Sequence, residues 1–330
     1  MEKVLKIGII GCGAIGKDHC RRIIETVPGA TVVAVSDYVA AAADDTAAKY
    51  GIKSYGNDCD GMIKDPEVEA VVITSIDPTH HDYVMKTLAE EKWCFCEKPL
   101  SQNAADCEDI IKREQEIGKR LVQVGFMRHY DRGYAEMKRI IDSGEIGKPL
   151  LIKCCHRNVA QGPGFKTENG VTNVAIHELD ICRWLLGENL NEVAVRFPRA
   201  TCFAEGTCQD PQLVLMQSDS GVLIDVEVSG NSYYGYEILC ELVCEKGTIR
   251  LPVAAEPIVR SYLQCGQAIP EDWTNRFVVA YQEELQHWVD YLQGKTDVPG
   301  PGAEDGYEAC KISDALIKAQ TTGQWEKVEA

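Results

Sequence analysis

The chain has 330 residues, 45% hydrophobic and 26% charged, which is the composition of a globular protein and excludes a disordered or fibrous chain. Acidic residues outnumber basic ones 51 to 34, giving a net charge of −17, and no lysine and arginine run is long enough to follow a phosphate backbone, so no nucleic-acid partner is expected. No apolar stretch approaches the roughly 18 residues of a membrane span, and residues 1–6 lead into an apolar strand without a secretory signal, so we expect no membrane partner and a cytoplasmic location.

The first third of the chain alternates short β-branched strands with helical segments. The predicted strands are 6–10, 31–35, 70–74, 93–96 and 121–124, and the predicted helices are 15–26, 40–50, 80–91 and 104–118. This alternation predicts a doubly wound parallel sheet with helices on both faces, and the unbroken apolar strands fit burial on both sides. We therefore predict an α/β dinucleotide-binding domain over residues 1–124.

The pattern changes after residue 125. Helices are predicted at 134–143, 174–186, 277–292 and 306–321, and strands near 150 and at 212–217, 222–229, 236–244 and 248–251. Apolar and polar residues alternate along 222–228, as in an antiparallel strand with one covered face. Residues 125–330 are predicted to form an α+β domain with a mainly antiparallel sheet.

A glycine-rich turn separates the first strand from the first helix. Gly11, Gly13 and Gly16 form a G-x-G-x-x-G pattern, in which the first glycine permits the tight turn, the second admits a pyrophosphate and the third lets helix and sheet pack closely. Asp37 ends the second strand at the distance typical of an acid that binds a ribose diol. Since a carboxylate there repels a 2′-phosphate, NAD is predicted over NADP.

Lys98 follows the fourth strand of the predicted parallel sheet, within Glu97-Lys-Pro-Leu100. Ligands bind open α/β sheets beyond the carboxyl ends of the strands, where nicotinamide and substrate would meet. Pro99 restricts the backbone after Lys98 and permits a cis peptide bond there. From spacing alone, a functional lysine and an ordinary surface lysine remain equally open.

A helix in the second half carries four polar or aromatic residues at steps of four, three and four. They are Asn173, His177, Asp180 and Trp184. Such spacing places them on one helix face, and histidine suits removal of an alcohol proton near neutral pH. Taken alone, a structural histidine in the core remains the favoured alternative.

The fifteen cysteines are interpreted as small hydrophobic residues of the interior, because many lie inside apolar runs. No paired ligands at metal-binding spacing occur, so no metal site is predicted.

Several stretches resemble the Gfo/Idh/MocA oxidoreductase family and, within it, the inositol dehydrogenases. They are the glycine turn with Asp37, residues 95–100, the block 118–128 with Tyr130 and Asp131, and residues 156–158, 173–180, 234–236 and 276–281. The resemblance covers nearly the whole chain. It implies a Rossmann domain, a second domain built on a large open sheet, and a homotetramer formed through those sheets. It also implies NAD-dependent oxidation of a secondary hydroxyl of a cyclic polyol, with myo-inositol giving an inosose.

The resemblance places the catalytic roles on Lys98 and His177, with a third on the position four residues before the histidine. In the inositol dehydrogenases that position is normally aspartate, whereas this chain has Asn173. Asparagine can orient an imidazole but adds no charge to stabilise an imidazolium. We expect either a weaker base or a changed substrate preference.

Two sets of binding residues are predicted, and in them Pro78, His80, Glu97 and the substrate residues are what the resemblance implies. The cofactor set is Gly11, Gly13, Ala14, Ile15, Gly16, Asp37, Ser75, Pro78, His80, Glu97 and Lys98. The substrate set is Arg128, His156, Asn173, Asp180 and Tyr236. Two alternatives remain at this point: a dehydrogenase for another inositol isomer, a pyranose or a glycoside, and an NAD-binding sensor weakened in catalysis by Asn173.

Overall fold

The computed structural model describes residues 4–252 and 257–329. The chain divides into two units, one of Met1–Phe126 with Tyr281–Cys310 and the other of Met127–Ala280 with Lys311–Ala330. Residues 281–310, which the sequence division places in the second domain, belong to the first unit. The reason is that Leu285, Trp288 and Val289 are buried in that unit's hydrophobic core.

The first unit contains six parallel strands. They are β1 (Leu5–Ile10), β2 (Ala30–Ser36), β3 (Lys53–Ser54), β4 (Ala70–Ile73), β5 (Trp93–Glu97) and β6 (Val122–Gly125). Their order in the sheet is β3-β2-β1-β4-β5-β6, so the order reverses between β1 and β4, where such sheets bind ligands. The predicted doubly wound parallel sheet is confirmed, with the two-residue strand β3 as an addition.

Five helices connect these strands. They are α1 (Ala14–Thr26), α2 (Ala40–Tyr50), α3 (Cys59–Lys64), α4 (His80–Ala89) and α5 (Ala104–Ile117). The side chain of Asn103 caps α5 by accepting from the Asp106 N–H, and the helix ends at Gly118 in the left-handed conformation. Local capping therefore sets the limits of α5, whereas α3 is too short to leave a helical period in the sequence.

The core of the first unit lies against the central strands. Every residue is buried in the central strand β4 and also in β6 at the end of the sheet, as expected for strands covered on both faces. The Phe95 ring of β5 packs against Trp288 with ring centroids 5.5 Å apart. Trp288 belongs to the long helix α9 (Val278–Leu292), and its burial holds that late segment to the sheet.

A seven-stranded mixed sheet forms the second unit. Its strands are β7 (Pro149–Arg157), β8 (Leu190–Arg196), β9 (Gln212–Ser218), β10 (Leu223–Ser229), β11 (Glu237–Cys244), β12 (Gly247–Arg250) and β15 (Glu326–Lys327). The order is β12-β11-β7-β10-β9-β8-β15, with β7 and β10 parallel and the other neighbours antiparallel. Burial alternates strictly along β9 and β11. The prediction of a large, mainly antiparallel sheet with one covered face is confirmed.

The described residues after 126 also form one short hairpin and five α-helices. The hairpin is β13 (Ile258–Ser261) with β14 (Gln264–Gln267), and the helices are α6 (Arg132–Ser143), α7 (Ile176–Leu186), α8 (Trp273–Arg276), α9 (Val278–Leu292) and α10 (Ala303–Thr322). Residues Gly170–Ala175 form a π-helical turn before α7. This corrects the start of the predicted helix 174–186, because Val174 and Ala175 lie in the π-turn and the α-helix begins only at Ile176. Asn173, predicted on the same helix face as His177, also lies in the π-turn.

Two further properties of the described residues concern membrane spans and cysteines. Within residues 4–252 and 257–329, no helix combines the length and apolar character that crossing a membrane requires. All fifteen cysteines lie in these ranges as free thiols, and all but Cys202 and Cys265 are buried. Burial raises the pKa of Cys20 to about 12, so that thiol stays protonated, consistent with its interpretation as a packing residue.

Candidate active site

The glycine turn lies at the point in the first unit where the strand order reverses. Gly11 has φ of +98°, and a Cβ there would lie 2.5 Å from the Thr74 carbonyl oxygen. At Gly16 a Cβ would lie 1.9 Å from the Gly11 carbonyl oxygen, whereas at Gly13 no described atom lies within 4 Å of that position. Two glycines are thus required by the fold, and the middle one leaves open space beside the backbone.

Helix α1 begins inside this turn with Ala14 and Ile15. No side chain among the described residues caps it, and its first turn contains no acidic residue. The backbone N–H groups of the first turn therefore remain available to an anion, and the helix dipole favours one. The open position at Gly13 and the uncapped helix together fit the pyrophosphate of a dinucleotide.

Asp37 follows β2 at the same edge of the sheet. Its carboxylate accepts hydrogen bonds from the backbone N–H groups of Cys12 at 2.6 Å and Val39 at 2.7 Å. Each carboxylate oxygen has a second lone pair, so these bonds leave acceptor capacity for a diol. The structure therefore holds an anionic acceptor beside the glycine turn, as the NAD prediction requires.

Two neighbouring loops of the first unit are joined by His80. Its ring is buried, with Nδ1 2.7 Å from the Pro99 carbonyl oxygen and Nε2 3.0 Å from the Ser75 carbonyl oxygen. Ser75 follows β4, Pro99 follows β5, and Pro78 lies on the exposed 3₁₀ turn between Ser75 and His80. Both ring nitrogens thus contact backbone, so His80 ties together the loops that present Ser75 and Lys98.

Lys98 lies directly after β5 and is partly exposed. The Lys98–Pro99 peptide bond is cis. Before it, the buried Glu97 carboxylate contacts His19 Nε2 at 2.7 Å and accepts from the Lys98 N–H at 3.2 Å. Glu97 therefore fixes the backbone at Lys98, and its contact with His19 joins this loop to α1.

The polar residues of the second unit gather around β7 and α7. His177 is buried near the start of α7, and its ring centroid lies 6.0 Å from that of His156 on β7. Tyr236, also buried, meets the His156 ring edge to face at 5.8 Å. Asn173 is partly exposed in the π-turn before His177, and π-turns of this kind often occur at functional sites.

Arg128 and Glu178 form a buried ion pair beneath this cluster. Arg128 Nη1 donates to Glu178 Oε1, both side chains are 1% exposed, and the other Glu178 oxygen lies 3.0 Å from His156 Nδ1. Burial alone raises the pKa of Glu178, but Arg128 and His156 more than offset this effect, so its pKa lies below the ordinary value. The carboxylate therefore stays ionised.

Asp180 lies on α7 three residues after His177. Its carboxylate is buried and lies 2.8 Å from His129 Nε2. The His129 ring stacks on Trp184 with centroids 4.6 Å apart. The predicted polar face of α7 is thus built from His177, Asp180 and Trp184, with His129 as the partner of Asp180.

Three partner residues were not identified from the sequence: His19, His129 and Glu178. The sequence does hold a signal for each of them. His129 and Glu178 directly follow the predicted site residues Arg128 and His177, and His19 lies in the helix that follows the glycine turn. Among the described residues, no group of three His, Cys, Asp or Glu side chains is arranged to hold a metal ion.

The chain matches two family models. The oxidoreductase family with an NAD-binding Rossmann fold, GFO_IDH_MocA, matches residues 5–126, and the GFO/IDH/MocA C-terminal domain matches residues 134–250. An inositol 2-dehydrogenase from Ralstonia nicotianae is 45% identical, over 98% of this chain and 96% of the relative. Another from Salmonella paratyphi B is 46% identical, over 98% of this chain and 97% of the relative.

The fold is also shared with solved structures. The crystal structure of myo-inositol dehydrogenase from Lactobacillus casei, in complex with NAD(H) and myo-inositol, has a TM-score of 0.95 and 33% identity, covering 99% of this chain and 97% of that one. The chain therefore belongs to the Gfo/Idh/MocA oxidoreductase family, and its first unit is that family's NAD-binding Rossmann fold.

Proposed function

We propose that this protein is an NAD-dependent dehydrogenase that oxidises a secondary hydroxyl of myo-inositol to the corresponding ketone, an inosose. The observation that carries the proposal is the cluster of His177, His156, Tyr236 and Arg128 in one unit, a set of donors and acceptors suited to a ring of hydroxyls. Relatives named inositol 2-dehydrogenase, 45–46% identical over nearly their whole length, support the choice of inositol.

In the proposed reaction the alcohol loses two hydrogens, one as a hydride and one as a proton, and each goes to a different acceptor. Bound NAD+ supplies the acceptor for the hydride from the carbinol carbon. His177 accepts the hydroxyl proton as general base. The role proposed for Lys98 is that of a cationic hydrogen-bond donor that stabilises negative charge as it develops on the substrate oxygen. Asn173 orients the imidazole or a neighbouring substrate hydroxyl. The carbinol thereby loses a hydride and a proton and becomes a ketone.

For the cofactor, we propose contacts from the glycine turn to the pyrophosphate and from Asp37 to the adenosine ribose. Asp37 carries a negative charge that repels a 2′-phosphate, which favours NAD over NADP. Ser75, Pro78 and Lys98 lie on the loops after β4 and β5 and would line the nicotinamide side. For the substrate, Arg128, His156, Asp180 and Tyr236 are the proposed hydroxyl partners.

The test is a substrate panel with the purified protein. NADH fluorescence is followed with NAD+ and myo-inositol, scyllo-inositol, glucose or a methyl glucoside, and myo-inositol is expected to react fastest. Lys98→Met should lower turnover by about 10²–10³-fold while NAD+ still binds. Tight NAD+ binding without reduction of NAD+ by any polyol would favour the sensor alternative. If a pyranose were oxidised faster than myo-inositol, the pyranose would replace myo-inositol as the proposed substrate.

We further propose that the protein is a cytoplasmic homotetramer assembled through the outer face of the second unit's sheet. The support is a group of apolar side chains on that face, which also carries charged residues such as Asp225 and Glu241. The half-exposed or exposed members of this apolar group are Leu213, Leu215, Leu223, Leu239 and Val243. Fifteen free thiols fit a reducing compartment. Light scattering should give four copies for the wild type and fewer for Leu223→Asp; a monomeric wild type would contradict the tetramer.

A further inference from the structure

Glu178 is a buried carboxylate for which the proposed reaction has no role. Its side chain is 1% exposed, in a position where an ion must be paired to be tolerated. One oxygen accepts from Arg128, and the other lies 3.0 Å from His156 Nδ1. Arg128 alone satisfies the charge, so the contact with His156 calls for a separate explanation.

A hydrogen-bond acceptor and a hydrogen-bond donor both approach Nδ1 of His156. Glu178 Oε2 can only accept a hydrogen bond, and it lies 3.0 Å from Nδ1. Arg128 Nη2 can only donate, and it lies 3.2 Å from Nδ1. The contact with the ionised Glu178 oxygen is the shorter of the two and gives the stronger hydrogen bond. If Nδ1 carried no proton, its lone pair would face the lone pairs of that oxygen, and the two would repel each other. The proton of the neutral ring is therefore assigned to Nδ1, and Nε2 is the acceptor; in this tautomer Arg128 Nη2 lies beside Nδ1 without donating to it.

The ring is also fixed in direction. The edge-to-face contact with Tyr236 and the neighbouring His177 ring, at 5.8 and 6.0 Å between centroids, hold it beside the imidazole that we propose as the base. A ring with Nε2 as acceptor binds a group that donates, which a substrate hydroxyl does and an ether or fluorine does not.

We propose that Glu178 is a positioning residue that holds the proton of His156 on Nδ1, so that His156 Nε2 accepts a hydrogen bond from one substrate hydroxyl. This inference rests on the proposed function for its substrate, but the assignment of the ring proton stands by itself. Glu178 thereby selects polyols with a free hydroxyl at one ring position.

The substrate test uses inositols in which one hydroxyl at a time is replaced by fluorine, which accepts weakly and cannot donate. For wild type, fluorination at one position away from the oxidised carbon should raise KM about 10- to 100-fold. In Glu178→Gln, the amide can donate to Nδ1 and move the ring proton to Nε2. We expect a higher KM for inositol, a smaller change in kcat, unchanged NAD+ affinity, and a lost fluorine penalty at that position.

Glu188→Gln is the matched control, since Glu188 lies just after α7 and accepts from the Ser220 N–H. It should behave as wild type. Glu178→Gln is expected to be less stable in either case, so the kinetics decide: a purely structural role would lower kcat and kcat/KM together while the fluorine penalty persisted, and that result would overturn the proposal.

The second measurement does not depend on turnover. In wild type labelled with ¹⁵N-histidine, His156, identified by its loss in His156→Gln, should show a protonated Nδ1 and an unprotonated Nε2. A protonated Nε2 would overturn the proposal. If no inositol is oxidised, the proposed function fails, while this spectrum still decides the role of Glu178 in setting the tautomer.

Discussion

Asn173 occupies the position four residues before the proposed base, in a π-turn that leads into α7. We predict that Asn173→Asp raises kcat/KM for myo-inositol about tenfold, because a carboxylate would stabilise the imidazolium formed when His177 takes the proton. Steady-state kinetics with NAD+ would measure the change. Asn169→Asp is the control, as the Asn169 side chain only accepts from the Lys166 N–H. An unchanged or lower rate would show that asparagine suits the native substrate better than aspartate.

His80 contacts backbone carbonyls on two loops, those of Ser75 and Pro99. We predict that His80→Ala lowers the free energy of unfolding by about 1–3 kcal/mol, because the buried Pro99 carbonyl oxygen loses its contact with the imidazole. The loops before and after it should loosen, weakening NAD+ binding. Thermal melts and NAD+ titrations would measure both effects. His81→Ala, at the adjacent and more exposed histidine, should change neither, and equal behaviour of the two variants would contradict this role.

At the scale of elements, two glycines between β1 and α1 should have different roles: Gly16 is required for folding and Gly13 for NAD+ binding. The unfolding free energy of Gly13→Ala should lie within about 0.5 kcal/mol of the wild-type value, since the new Cβ meets no described atom within 4 Å. It should weaken NAD+ binding, because the methyl group takes the space beside the pyrophosphate.

Gly16→Ala is the contrasting variant, because its Cβ would lie 1.9 Å from the Gly11 carbonyl oxygen. It should lose about 2 kcal/mol or more of stability even without NAD+. Denaturant unfolding and NAD+ titration of both proteins would test the distinction. A stable Gly16→Ala protein, or normal NAD+ affinity in Gly13→Ala, would contradict it.

For the whole molecule, the thiol pattern gives a countable prediction. Of fifteen cysteines, Cys202 and Cys265 are exposed and the rest are buried. Two thiols should react rapidly with a colorimetric disulfide reagent in the native protein and fifteen after denaturation. The Cys202→Ser/Cys265→Ser double variant should show no rapid reaction. A larger rapid count would indicate that buried thiols open to solvent.

Acid stability should depend on the buried Arg128–Glu178 pair. The folded pKa of Glu178 is depressed, so its stabilising contribution is complete above the unfolded value of about 4.3 and is lost as pH falls through the folded pKa. Wild type should exceed Glu178→Gln in unfolding free energy by about 1–3 kcal/mol near pH 7. The difference should narrow in acid, as urea unfolding at both pH values would measure; a constant difference would mean that the carboxylate does not titrate with unfolding.

The amino-acid sequence by itself determined the features that depend on neighbouring residues. Apolar β-branched runs and glycine spacing identify the parallel strands, the dinucleotide turn and the alternating strands of the second sheet, because burial periodicity and backbone freedom are local properties. It also placed His177, Asp180 and Trp184 on one helix.

Only the tertiary structure decided which buried groups meet. His19 contacts Glu97 across 78 residues and Arg128 pairs with Glu178 across 50; contacts between residues so distant in sequence leave no periodic signal. Likewise, residues 281–310 join the first unit through Trp288, and the π-turn places Asn173 outside the regular helix. Spacing along the chain proposed the reactive residues, whereas their partners, and hence their protonation and orientation, depend on packing between distant segments.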